Sequence, residues 1–96
     1  MRLVAYFEET SKMMDHRRKY EADHLEYLKA NQTEILIAGG LRPEPGGRFV
    51  GGLWVMEVES FERAEELIRN DPYYAPDLRT YKLLVWGKAH EGEVTL

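Results

Sequence analysis

His24 and Asp71 are the two residues whose types and settings point most directly to chemistry. His24 falls on the apolar face of a predicted helix, between Tyr20 and Tyr27 and beside Leu28. An imidazole, with an unperturbed pKa of ~6.5, is the side chain best suited to take and return a proton near neutral pH. Taken alone, such a histidine is more often a core residue hydrogen-bonded to backbone. Asp71 stands at the end of a second predicted helix, directly before Pro72-Tyr73-Tyr74. Taken alone, it is a turn aspartate whose side chain caps nearby amides, a common use of Asp before Pro. The pair says more than either member. Where two helices lie side by side on one sheet face, a carboxylate facing one ring nitrogen fixes the tautomer and frees the other nitrogen as a proton acceptor.

Other candidates are weaker. Arg17 projects from the same helix toward the His24 face, placed to hold a substrate carboxylate, and Arg42 and Arg48 in a Pro/Gly-rich loop are placed to do likewise. The rest of the run Asp15-His16-Arg17-Arg18-Lys19 reads as a solvated helix face. His16 and His90 also read as solvated, and three histidines without HxH or HxxxH spacing give no reason to expect a metal. Gly39-Gly40 and Gly46-Gly47 lack the flanking residues of a phosphate loop, and Ser11 and Ser60 lack a nucleophile-elbow setting. No organic cofactor is expected either.

Six elements have to position these side chains. Strands are predicted at Arg2 to Phe7, Glu34 to Gly39, Phe49 to Val58 and Thr80 to Lys88, all rich in β-branched or aromatic residues. A first helix is predicted from Asp15, as N-cap, to Asn31, with Met13, Arg17, Tyr20, His24, Tyr27, Leu28 and Asn31 near one face. The second runs from the N-cap Ser60 to Asn70 with an apolar stripe of Phe61, Ala64, Leu67 and Ile68, and Pro72 ends it. The order βαββαβ is the split βαβ plan of a ferredoxin-like α+β sandwich. Leu41 to Gly52 reads as a long surface loop, and the residues from 90 to 96 as a polar tail.

Composition narrows the class. Ninety-six residues make a single domain that buries somewhat more than ~60% of its unfolded surface. With no cysteine there is no disulfide framework and no thiol nucleophile, so the cytoplasm is the expected compartment. The N-terminal residues turn acidic too early for a signal peptide, and no stretch approaches a membrane span. A net charge of −4 argues against nucleic acid as a partner.

The strands do not alternate cleanly between apolar and polar. Leu53 and Val55 oppose Trp54, Met56 and Val58; Leu83 and Val85 oppose Leu84 and Trp86; Ile35 and Ile37 oppose Leu36 and Ala38. Helices cover only one face of such a sheet, so the other is left apolar. The expectation is a twofold homodimer packed sheet to sheet.

The residues also resemble a known family, the YCII-like (YciI-related) proteins. The resemblance runs from about Arg17 to Trp86 and rests on His24-Leu25-Glu26-Tyr27-Leu28, Ile35-Leu36-Ile37-Ala38-Gly39-Gly40-Leu41, the stretch from Glu57 to Ala64, and Asp71-Pro72-Tyr73. It implies a ferredoxin-like dimeric α/β barrel with a His–Asp active pair at His24 and Asp71. Gly40 stands where the family often has Pro, a position bordering the pocket. The family is similar to muconolactone isomerases, and one member type eliminates chloride from a chlorinated muconolactone. The expected function is then a cofactor-free lyase or isomerase. His24 would move a proton next to a carbonyl or lactone of a small acidic substrate, with Asp71 orienting it. Tyr20, Tyr27 and Tyr73 would wall the pocket or donate to a developing enolate, and Arg17 or Arg48 would hold a carboxylate. Two alternatives are a non-catalytic dimer that binds a small molecule or a protein, and a cofactor-free monooxygenase of the same barrel type.

Overall fold

A computed structural model describes residues 1–93. Of the predicted 90–96 tail, positions 90 to 93 are exposed and lie outside helix and strand, and 94 to 96 lie outside the described residues. The elements are β1 (Arg2–Glu9), α1 (Met13–Ala30), β2 (Ile35–Leu41), β3 (Gly51–Glu57), α2 (Phe61–Asn70) and β4 (Arg79–Val85). The strands form one antiparallel sheet in the order β2-β3-β1-β4. This is the ferredoxin-like α+β plan expected from the element order.

Register and burial define the helix-side face. Leu3, Ala5 and Phe7 of β1 lie opposite Met56, Trp54 and Gly52 of β3, and Ala5 and Phe7 lie opposite Leu83 and Tyr81 of β4. Against this face α2 buries Ala64, Leu67 and Ile68. Trp54, Phe7, Leu3, Met13, Met56 and Leu67 are the largest fully buried side chains. Ser60 caps α2 as expected, its hydroxyl accepting from Arg63 N at 3.0 Å. Phe61, placed in the buried stripe by its spacing, is instead exposed, as the first residue of the helix, before its buried residues begin at Ala64.

Three expectations are corrected. Helix α1 begins at Met13 rather than Asp15, with Lys12 at the cap and no side-chain cap bond. Met13 is fully buried, so the chain is already anchored in the core and turning before Asp15, which sits in the first turn and pairs with Arg18 at 2.6 Å. The long loop is shorter than read: β2 runs on to Leu41, Val50 N donates to Leu41 O at 2.9 Å, and the connection spans residues 42 to 50. In β2 a bulge between Ile35 and Ile37 puts them on opposite faces, Ile35 against Met56 and Ile37 against Val55.

The far face of the sheet carries Val4, Tyr6, Ile37, Leu53, Val55 and Leu84. Ile37 is 46% exposed and Leu84 55%. Val55, at the middle of this face, is buried, while Ile37, Leu84 and Tyr6 around it are exposed. No helix of the described residues is long and apolar enough to cross a membrane.

Candidate active site

His24 and Asp71 meet. The His24 Nδ1 lies 2.7 Å from Asp71 Oδ1, and both side chains are buried. The local chemistry explains the approach. Pro72 forbids helical backbone at the preceding residue, so Asp71 leaves α2 extended, at φ −69 and ψ 131, as its C-cap. The same carboxylate oxygen accepts from Tyr73 N at 3.0 Å. Asp71 is therefore both the turn aspartate and the histidine's partner. The turn places the Tyr73 ring flat on His24, with centroids 3.6 Å apart and planes within 4°.

With Nδ1 turned to the carboxylate, His24 carries its proton there and presents Nε2, to which no group of the described residues bonds. The ring lines a cleft of about 360 Å³ between α1, β2, β3 and the 42–50 connection. Met14, Leu25, Leu28, Trp54, Phe49 and Tyr73 give it apolar walls, and Arg17, Arg18, Arg42, Arg79 and Glu21 supply charge. Such a site, with apolar walls and a few polar groups aimed into it, suits a small molecule.

Gly40 lines the cleft, and Gly52 lies behind it. Gly40 and Gly52 face each other across β2 and β3. A Cβ on Gly40 would lie 2.3 Å from the Phe49 ring, and one on Gly52 would lie 2.7 Å from Arg79 Nη2. Any larger residue would displace the aromatic wall or the buried guanidinium. Phe49 is held between two cations, with Arg17 at 4.2 Å and Arg42 at 4.1 Å from its centroid.

Of the residues singled out by sequence, His24, Arg17, Gly40, Arg42 and Tyr73 line the cleft with Asp71 behind the histidine, whereas Tyr20, Tyr27 and Arg48 do not line it. The Arg17 guanidinium is committed to Glu9 through Nε to Oε1 at 2.8 Å and Nη2 to Oε2 at 2.7 Å, and it reaches Gly51 O at 3.2 Å. Tyr20 packs against His16, 4.5 Å between centroids. His16, read as solvated, instead bonds Pro72 O through Nε2 at 2.9 Å and so braces the Asp71 turn.

Sequence reasoning missed two members of the site, Glu9 and Arg79. The Glu9 side chain is fully buried. Arg79 Nε lies 3.0 Å from Glu9 Oε2, its Nη1 lies 3.8 Å from Asp71 Oδ2, and its guanidinium sits 3.8 Å over the Phe7 ring. Burial pushes the Arg79 pKa down, and the Glu9 and Asp71 carboxylates pull it back up. The signal was in the strand period. Leu3, Ala5, Phe7 and Glu9 share one face of β1, and the register sets Glu9 directly against Arg79.

Tyr27 ties the two helices together, donating to Leu67 O at 2.6 Å. Its pKa is pushed up to about 12, chiefly by burial and then by the Asp71 charge. A phenol with a folded pKa above its unfolded value of 10.0 contributes stability below pH 10 that is lost as pH rises toward 12. We expect urea-melt stability to fall across that window, and Tyr27→Phe to lower stability at pH 7 by about 1 kcal/mol while flattening the alkaline slope. Tyr81, also pushed up to about 12 by burial, keeps part of the slope.

Comparison with known proteins adds two findings. The solved structure of 5-chloro-2-hydroxyhydroquinone dehydrochlorinase (TftG) from Burkholderia phenoliruptrix, in complex with 2,5-dihydroxybenzoquinone, is similar in fold: TM-score 0.78, 23% identity, 91% of this chain and 94% of that one covered. Among curated proteins none matches. The YCII-related domain family matches residues 1–87, nearly the whole of what the structure describes, including every element and both members of the His24–Asp71 pair. The chain belongs to the YCII-related domain family.

Proposed function

We infer that this protein is a cofactor-free acid–base catalyst of lyase or isomerase type, acting on a small, flat, acidic molecule. The observation that carries this reading is the 2.7 Å bond between His24 Nδ1 and buried Asp71, which leaves Nε2 free at the cleft. Nε2 takes a proton from the carbon or hydroxyl next to a carbonyl, and the freed electron pair forms the new double bond. In an elimination the pair expels a leaving group such as chloride; in an isomerisation the proton returns at another carbon. Asp71 stabilises the imidazolium that forms between these steps. Burial pushes the Tyr73 pKa up, so its hydroxyl stays protonated beside the site. The dehydrochlorinase with the similar fold, solved with a quinone bound, supports a planar oxygenated substrate. The cysteine-free composition fits work in the cytoplasm.

The test is a panel of enolisable lactones, haloacids and chlorinated hydroxyhydroquinones. It is read by chloride release, by ultraviolet change and by deuterium uptake from heavy water. Turnover or exchange that His24→Asn abolishes supports the reading. Binding of a panel member with unchanged affinity in His24→Asn, and no turnover by either protein, would make the protein a binding module. Oxygen consumption during turnover would make it a monooxygenase.

The active unit in this reading is a homodimer closed through the bare sheet face. Ile37, Leu84 and Tyr6 are each exposed by two-fifths or more on that face, a patch that monomers seldom leave in water. Sedimentation is expected to give twice the 11.2 kDa chain mass. The double substitution Ile37→Lys with Leu84→Lys is expected to give a folded monomer. A native monomer at micromolar concentration would sink the dimer.

A further inference from the structure

Arg17, Glu9, Arg79 and Asp71, in that order, form a buried chain of alternating charge that ends at His24. Its formal charges cancel, two carboxylates against two guanidinium groups. Asp71 is the branch point. One oxygen accepts from both His24 and Tyr73 N, while the other, Oδ2, has no hydrogen-bond partner and faces Arg79 Nη1 at 3.8 Å. Arg79 itself is nearly as buried as Asp71, and the missing Cβ of Gly52 leaves the room its Nη2 occupies.

We propose that Arg79 is a positioning residue that shares the charge of Asp71, so that the carboxylate orients His24 without holding it as imidazolium. The proposal rests on the reading of His24 and Asp71 as an acid–base pair. Without Arg79, Asp71 would be an unneutralised buried anion, and the nearest group able to compensate it would be a protonated His24. A base that is already protonated cannot accept a proton, so Arg79 would support turnover by acting through Asp71. The charged and titratable groups that face His24 are Arg17, Arg18 and Glu21 on its own helix, Asp71 and Tyr73 after α2, Arg79 on β4, and Arg42 in the connection. Strands β2 and β3 bring no titratable group to the cleft.

The experiment is nitrogen-15 NMR titration of the His24 ring in the native chain and in Arg79→Gln, Arg79→Lys and Asp71→Asn. Arg79→Gln is expected to raise the His24 midpoint by about one unit or more, a tenfold rise in the imidazolium-to-imidazole ratio at fixed pH. Arg79→Lys, which keeps the charge, should return most of that shift. Asp71→Asn should move the midpoint the other way. An unmoved midpoint in Arg79→Gln, with Asp71→Asn still lowering it, overturns the role of Arg79 and leaves the pair intact. An unmoved midpoint in Asp71→Asn overturns the pair itself. A measurement on the native chain decides should Arg79→Gln not fold: the guanidinium nitrogens of Arg79 are expected to titrate with the His24 midpoint, and a flat profile there overturns the proposal.

Discussion

Replacing His24 with asparagine is expected to lower turnover on any substrate found by about 10²–10⁴-fold, the usual contribution of one positioned acid–base group. The fold should survive. Asparagine is smaller than the imidazole but still offers a side-chain N–H toward Asp71 Oδ1, so the buried carboxylate is not left without a donor. The cost to stability comes mainly from the lost stack on Tyr73 and the space the ring vacates. The loss should fall on kcat, because Nε2 works on the proton in flight, while the apolar walls that bind substrate are untouched. Stopped-flow or steady-state assay of both proteins, with circular dichroism to check folding, gives the comparison. A loss confined to KM, or a loss under threefold, would remove His24 from the chemistry.

Much of this site could be read from the residues because its two ends are marked by strong local signals. Pro72 fixes where α2 stops, and a histidine between two tyrosines on a helix face has few places to go but inward. The element order then brings the two helices onto one sheet face. The middle of the site was hidden by a general truth. Carboxylates and guanidinium groups are rarely buried, so the apolar pattern predicts a first strand that ends at Phe7. In the fold β1 continues through Glu9, because Arg17 and Arg79 wait on either side to neutralise it. The bulge in β2 and the position of Phe49 over Gly40 depend on pairing across strands, which no local pattern in the chain reports. The early start of α1 has the same origin, since Met13 is drawn into a core built by residues far away in the chain.

The largest expected loss of stability comes from Glu9, far in the sequence from the histidine it supports. Its carboxylate receives two bonds from Arg17, at 2.8 and 2.7 Å, and lies 3.0 Å from Arg79 Nε, with no exposure to water. Glu9→Ala strands two guanidinium groups in a low-dielectric interior with only Asp71 to balance them. Breaking a buried ion pair from one side typically costs about 3–5 kcal/mol, because the remaining charge keeps its desolvation penalty and loses its partner. A small domain holds about 5–15 kcal/mol in total, so the variant should melt far earlier and in part unfold at 37 °C. Asp15→Ala supplies the contrast. That residue pairs with Arg18 at 2.6 Å, but both side chains are mostly in water, so its loss should change stability by well under ~1 kcal/mol. Urea melts of the two variants, with matching slopes against denaturant, measure the difference. Glu9→Gln separates charge from shape. It fills the same space, yet it cannot neutralise Arg17 and Arg79, and its amide would point a donor at a donor. If charge is what Glu9 provides, Gln should cost nearly as much as Ala. A Gln variant as stable as the native chain would mean that Glu9 serves only as filler, and Arg17 and Arg79 would then need another source of balance.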